Sequence, residues 1–220
     1  MRMEDFYPKP DEALKKRRFV EYTSRFIEPL FPKDRTIRIG DIGCGYGLFL
    51  DACKRSGYTN IEGAEQTGAY VKYAERELGI SSIENADIFA YLESKDDSYF
   101  DIITAFNIIE HVKKERVQYL LNLIQRKLKP GGMLLMEVPN ADSPLGIHTY
   151  FTDLTHEFAF SRKLAVMLLK NADLTDIKVM YQPMRKNILI KIAQKILAKV
   201  VGFDYELMFS GNIILAGYKK

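Results

Sequence analysis

Apolar and polar positions follow two alternating periods along this chain. Between residues 11 and 31, Leu14, Phe19, Tyr22, Phe26, Ile27 and Leu30 recur at helical spacing. Asp11 fits an N-cap, and Pro32 ends the run. Short apolar runs at 36–42, 60–64, 82–86, 100–106 and 133–138 predict strands. Helical patterns at 48–55, 69–78 and 113–128, and a short turn at 88–92, separate them. A sixth strand is expected at 177–181 and a seventh from 212. Strands alternating with helices predict βαβ units, hence an α/β fold with a mostly parallel sheet and helices on both faces. The chain reads as a single domain: an N-terminal helix (11–31), a core (36–181), an insertion at about 185–201 and a last strand (212–219).

The insertion has its own pattern. Ile188, Ile192, Ile196 and Val200 are spaced by four and flanked by Lys186, Lys191, Lys195 and Lys199. That is a basic amphipathic helix. It suits packing on the domain or on a second subunit as a homodimer, and it also suits peripheral contact with an anionic membrane surface. Elsewhere the composition is ordinary, with 47% hydrophobic and 28% charged residues and a net charge of +3 that makes nucleic acid an unexpected partner. Two cysteines in 220 residues make no disulfide scaffold, and the start of the chain carries no signal-peptide core. The expected location is therefore cytoplasmic, with membrane association left to the basic helix.

Candidate chemistry begins at "RIGDIGCGYGLFL", residues 38–50. The span joins the first strand to the first helix, where open parallel sheets receive ligands. Gly43, Gly45 and Gly47 permit a tight turn and close approach of a ligand. Asp41 stands ahead of them, a poor neighbour for a pyrophosphate because like charges repel, but a good one for a cationic or amine-bearing ligand.

"DIGCGYG" resembles motif I of the class I S-adenosylmethionine-dependent methyltransferases. "IEGAEQT", "ENADIF", "FDIITAFNIIEHV" and "LKPGGMLLMEVPN" resemble that family's later motifs in order, over residues 38–140. The resemblance implies a seven-stranded Rossmann-like sheet with an antiparallel last strand, a turn at Pro130, Gly131 and Gly132, and S-adenosylmethionine as cofactor. It assigns Asp41, Gly43, Cys44, Gly45 and Gly47 to the cofactor loop and Glu65 to the ribose, with Gln66 beside it also binding the cofactor. It places Asp87 and Ile88 at the adenine and Asn107 near the cofactor's amino-acid end.

All three histidines, His111, His148 and His156, fall after the fourth or fifth strand, on the rim where an acceptor binds. Histidine is the natural base at neutral pH. Glu110, His111 and His156 are the catalytic candidates; His148 reads as part of a loop. The long segment "VPNADSPLGIHTYFTDLTHEFAFS" resembles methyltransferases of bacterial surface-glycan synthesis and, more distantly, the ubiquinone-pathway O-methyltransferases. Both imply an oxygen nucleophile on a small-molecule or glycan acceptor. Methylation of an RNA 2′-oxygen and a non-catalytic cofactor-binding module are the alternatives. "EH" with a later histidine also resembles the metal site of small-RNA 2′-O-methyltransferases, but Asn107 replaces its first acid, so no metal is expected.

Overall fold

A computed structural model describes residues 8–181 and 188–220. Seven strands, β1 (Arg38–Ile42), β2 (Asn60–Ala64), β3 (Ile83–Glu84), β4 (Phe100–Phe106), β5 (Leu128–Pro139), β6 (Leu174–Tyr181) and β7 (Asn212–Lys219), form one sheet. Their order is β3-β2-β1-β4-β5-β7-β6. β1 pairs in parallel with β2 and β4, and β2 with β3; β7 runs antiparallel to β5 and β6. The expected sheet and its reversed last strand are thus present. The chain divides into two compact units, Met1–Ala105 with Arg126–Gly132 and Phe106–Gln125 with Met133–Lys220.

In the first unit, α1 (Glu12–Tyr22) starts where Asp11 accepts the Leu14 N–H at 2.7 Å. A widened turn over Thr23–Ile27, closed by Glu28 N–H to Thr23 O, leads into α2 (Glu28–Leu30). Phe31 is extended, as the residue before a proline prefers. Its ring meets Phe49 and Tyr58 edge-on. Leu50 of α3 (Leu48–Arg55) packs with Ala74 of α4 (Gly68–Leu78), Ile80 and Ile83. Gly40 makes room for the Phe100 ring, which a Cβ would meet at 2.6 Å. The short turn at 88–92 is a helix, α5 (Ile88–Ser94).

In the second unit, Leu134 and Leu135 of β5 and Ile213, Leu215 and Ala216 of β7 are buried. The 113–128 helix begins as a 3-10 turn, Lys114–Arg116, and continues as α6 (Val117–Lys127). The turn at Pro130–Gly132 is instead a bend within β5, where Gly131 takes φ 76°. The segment around His148 is not a loop but α7 (Pro144–Phe151), capped by Ser143 with Pro144 in its first turn. α8 (Arg162–Asn171) precedes β6. α9 (Ile188–Val201) forms as its pattern predicts, followed by α10 (Tyr205–Phe209); Lys186 lies outside the described residues.

Candidate cofactor loop and imidazole cluster

The loop between β1 and α3 is held by backbone bonds. Gly43 and Cys44 N–H donate to Ala64 O at 2.8 and 3.1 Å, tying it to the end of β2. Gly45 and Gly47 adopt φ 53° and 77°, where a side chain is strained. Nothing lies within 4 Å of the position a Gly45 Cβ would take, so the crest of the loop faces open space.

Two carboxylates flank this crest. Glu65 accepts the Gly45 N–H at Oε2 (3.0 Å) and the Thr67 N–H at Oε1 (2.7 Å), so it braces the loop and keeps a lone pair on each oxygen. Asn85 Nδ2 donates to the Glu65 and Gln66 carbonyls, both at 2.9 Å, and fixes that turn. Asp41 is 3% exposed and accepts the Thr104 hydroxyl at 2.7 Å. Burial pushes its carboxyl up to about 7, with the Glu65 charge adding to the rise. Burial, then Asp41 and Glu65, also push the Cys44 thiol up, keeping it protonated. Asp87 is exposed and caps α5, accepting the Phe89 and Ala90 N–H groups at Oδ1. Ile88 opens that helix.

In the second unit, Asn107 follows β4 at φ 50°, an uncommon backbone for asparagine. Its N–H donates to Glu137 O at 2.8 Å and its Oδ1 accepts from Asn212 Nδ2 at 3.1 Å. A 3-10 turn, Ile109–His111, then presents Glu110 and His111. Glu110 is fully buried, and neither carboxylate oxygen has a hydrogen-bond partner among the described residues. Its backbone oxygen accepts the Glu157 and Phe158 N–H groups, stitching the segment of His156 to this turn.

The two imidazoles have defined tautomers. His111 Nδ1 lies 3.3 Å from Thr155 O and 2.9 Å from Thr155 Oγ1. A carbonyl only accepts, so Nδ1 carries the proton and Nε2 the lone pair. The Thr155 hydroxyl donates onward to Asp153 Oδ1 at 2.6 Å. His156 is oriented alike, with Nδ1 2.8 Å from Tyr150 O and its ring stacked on Tyr150 at a centroid distance of 5.4 Å. The two imidazole centroids are 4.7 Å apart. One ligand atom each from Glu110, His111 and His156 lies within 4.8 Å of the others. Burial pushes Glu110 up to about 8, with Glu137 and Asp153 adding, and pushes His111 down, with His156 adding. His148 is exposed on α7 and outside this cluster.

Sequence reasoning missed the residues that hold these groups in place: Thr104 under Asp41, Asn85 behind Glu65, Thr155 and Asp153 behind His111, and Tyr150 behind His156. Only the Asp153–Thr155 turn has a local signal, an Asx pattern, and nothing local ties it to a histidine 44 residues away.

A family model described as a methyltransferase domain matches residues 14–178, about three quarters of the chain. The chain is a class I S-adenosylmethionine-dependent methyltransferase. Its similarity to a ubiquinone biosynthesis O-methyltransferase of Bartonella tribocorum is 28% identity over 175 residues, covering 70% of this chain and 68% of the relative. The chain spans about half the length of several other curated relatives with the same name. Among solved structures, an S-adenosylmethionine-dependent methyltransferase from Archaeoglobus fulgidus superposes with a TM-score of 0.73 at 23% identity, over 98% of this chain and 97% of that one. A Haemonchus contortus phosphoethanolamine N-methyltransferase in complex with S-adenosyl-L-methionine superposes with a TM-score of 0.64 at 19% identity, over 100% of this chain and 60% of that one. At those identities the likeness concerns the fold.

The residues of this methyltransferase fit the cofactor. A buried Asp41 with no cationic partner among the described residues, a loop crest open to solvent and a braced Glu65 with spare lone pairs suit a cationic nucleoside bearing hydroxyls. When bound, S-adenosylmethionine supplies a methyl group on a sulfonium that leaves as a neutral thioether.

Proposed function

We infer that this methyltransferase methylates an oxygen of a small-molecule acceptor, including the hydroxyl of a glycan-biosynthesis intermediate. The observation that carries the reading is the pair of imidazoles whose Nδ1 protons are held by backbone oxygens, leaving two basic Nε2 atoms beside a buried carboxylate. A hydroxyl needs such a partner because its proton must be taken up as the new C–O bond forms. Glu110, His111 and His156 are the groups that act on that hydroxyl. Asp41 offsets the cofactor's positive charge, Gly43, Cys44, Gly45 and Gly47 cradle it, and Glu65 takes the ribose, with Gln66 beside it also binding the cofactor. Asp87 and Ile88 meet the adenine, and Asn107 the amino-acid end. The O-methyltransferase names of the curated relatives support the choice of oxygen. The test is release of S-adenosylhomocysteine against phenols, sugars and amines. Turnover is expected with hydroxyl acceptors, falling about 100-fold or more in His111→Ala and His156→Ala with cofactor affinity kept. Turnover with amines alone overturns the reading, as does full activity of both variants.

A second observation bears on where the acceptor is met. α9 turns its apolar stripe outward: Leu189 is 72%, Ile196 59% and Val200 77% exposed. Lys191, Lys195 and Lys199 flank the stripe, and no acidic residue lies between 188 and 201. We infer that this face rests on an anionic lipid surface, because a second copy would bring the same positive charge against it. No described helix is long and apolar enough to cross a membrane.

A further inference from the structure

We propose that Glu110, His111 and His156 hold one divalent transition-metal ion whose open positions take the acceptor's hydroxyl oxygen. This rests on the O-methylation reading and gives the cluster's role in it a specific form. The sequence argued against a metal because Asn107 stands where a further acid is expected. In the structure Asn107 is engaged elsewhere, with Asn212 and the Glu137 backbone, and the other three residues converge without it.

The hydrogen-bond inventory points to a missing cation. Glu110 offers two buried oxygens with no donor among the described residues. With Nδ1 of His111 and of His156 facing backbone oxygens, Nε2 is in each ring the nitrogen left to bind an ion. Three groups with lone pairs thus converge, and a bound cation recovers the free-energy cost of burying the Glu110 carboxyl group without a partner. The outer partners also match those of metal-binding histidines, whose second ring nitrogen donates to a carbonyl or similar oxygen. His156 does this to Tyr150 O, and His111 to Thr155.

The spacing is compatible. Ligands about 2.0–2.2 Å from a shared ion stand about 3–4 Å from one another, so donors within 4.8 Å need only a small closure of side chains. Two imidazoles and one carboxylate suit Zn²⁺, Mn²⁺ or Fe²⁺ better than Mg²⁺ or Ca²⁺, which prefer all-oxygen sites. Three protein ligands leave positions open, the hallmark of a catalytic rather than a structural ion. In the transfer itself, the hydroxyl proton passes to solvent, the oxygen–methyl bond forms and the sulfonium carbon–sulfur bond breaks. The cation lowers the acidity barrier of that first event, and the imidazoles serve as its ligands rather than as final proton acceptors.

The experiment uses untagged, chelator-treated full-length protein without cofactor or acceptor. Zn²⁺ and Mn²⁺ are titrated calorimetrically, and Co²⁺ by its visible absorption. One ion per chain is expected, with affinity lower by about 100-fold in His156→Ala and in Glu110→Gln, and unchanged in His148→Ala. Should Glu110→Gln fail to fold by circular dichroism, His156→Ala and His156→Gln decide, because His156 is only partly buried. Absence of saturable binding, or binding that His156→Ala leaves intact, overturns the site. Full hydroxyl methylation by metal-free protein overturns its role while the O-methylation reading stands. One bound ion with methylation confined to amines does the opposite, retaining the site and removing that reading.

Discussion

Asp41 makes the ligand-free enzyme less stable than it could be, and Asp41→Asn measures by how much. The buried carboxyl titrates at about 7, against an ordinary 3.8, chiefly through burial. The folded protein therefore holds this proton more tightly than the unfolded chain. Between pH 3.8 and about 7 the unfolded state has lost the proton and the folded state has not, so stability falls as pH rises through that window and is level above it. At about 1.4 kcal/mol per pH unit, the loss approaches about 4 kcal/mol by pH 8. Asparagine keeps the volume and the oxygen that accepts the Thr104 hydroxyl, but carries no charge. Ligand-free Asp41→Asn should match the parent near pH 4 and exceed it increasingly toward pH 7. At pH 8 the difference in melting temperature should be on the order of 10 °C for a chain of this size. Urea unfolding followed by circular dichroism at pH 4, 5, 6, 7 and 8 supplies the curve. The same variant should bind S-adenosylmethionine at least tenfold more weakly, because the lost charge is the one proposed to offset the cofactor's positive charge. A stability difference independent of pH, or none at pH 8, would refute the account of Asp41 as a carboxylate strained by burial and relieved by a cation.

Glu65 braces the loop and is proposed to hold the ribose, and Glu65→Gln tests both. The amide oxygen can keep only one of the two backbone N–H bonds to Gly45 and Thr67, so cofactor affinity by calorimetry should drop about tenfold or more, and a thermal shift should show a loss of about 1–3 kcal/mol in the ligand-free protein. Unchanged values on both counts sink the bracing role. For α9, flotation with vesicles of phosphatidylglycerol should carry the protein, and vesicles of phosphatidylcholine should not. Ile196→Asp with Val200→Asp should abolish the effect, whereas loss of a dimer in the same variant by light scattering, without vesicle binding in the parent, assigns the face to a second copy.

The sequence and the structure agree where the deciding physics is local, and part company where it is not. β2, β4 and α3 run as expected to the residue, because an unbroken apolar run or a helical stripe bounded by Gly and Pro is a local property. Asp11 is legible as a cap for the same reason. Ser143 and Pro144 are a local start signal for α7 that the reading of His148 as part of a loop passes over, and Gly146 sits within that helix. That glycine is a packing requirement: a Cβ there would meet Gly211 O at 2.6 Å, so the helix can sit at this spot only without one. Gly40 has the same explanation, with Phe100 as the neighbour 60 positions away. The turn between β1 and α3 is legible because its glycines, Asp41 and Glu65 stand at fixed distances along the chain. The cluster was readable only as three separate residues. What makes it chemistry is the alignment of two tautomers by Thr155 and Tyr150 and the burial of Glu110 with no donor at hand. The contact between His111 and Thr155 joins segments 44 residues apart, and no periodicity carries it. A site assembled this way is more informative than its residue types, because desolvating an unpartnered carboxylate lowers stability unless binding repays it. The free energy the fold gives up at Asp41 and at Glu110 is what supports the proposal that each receives positive charge.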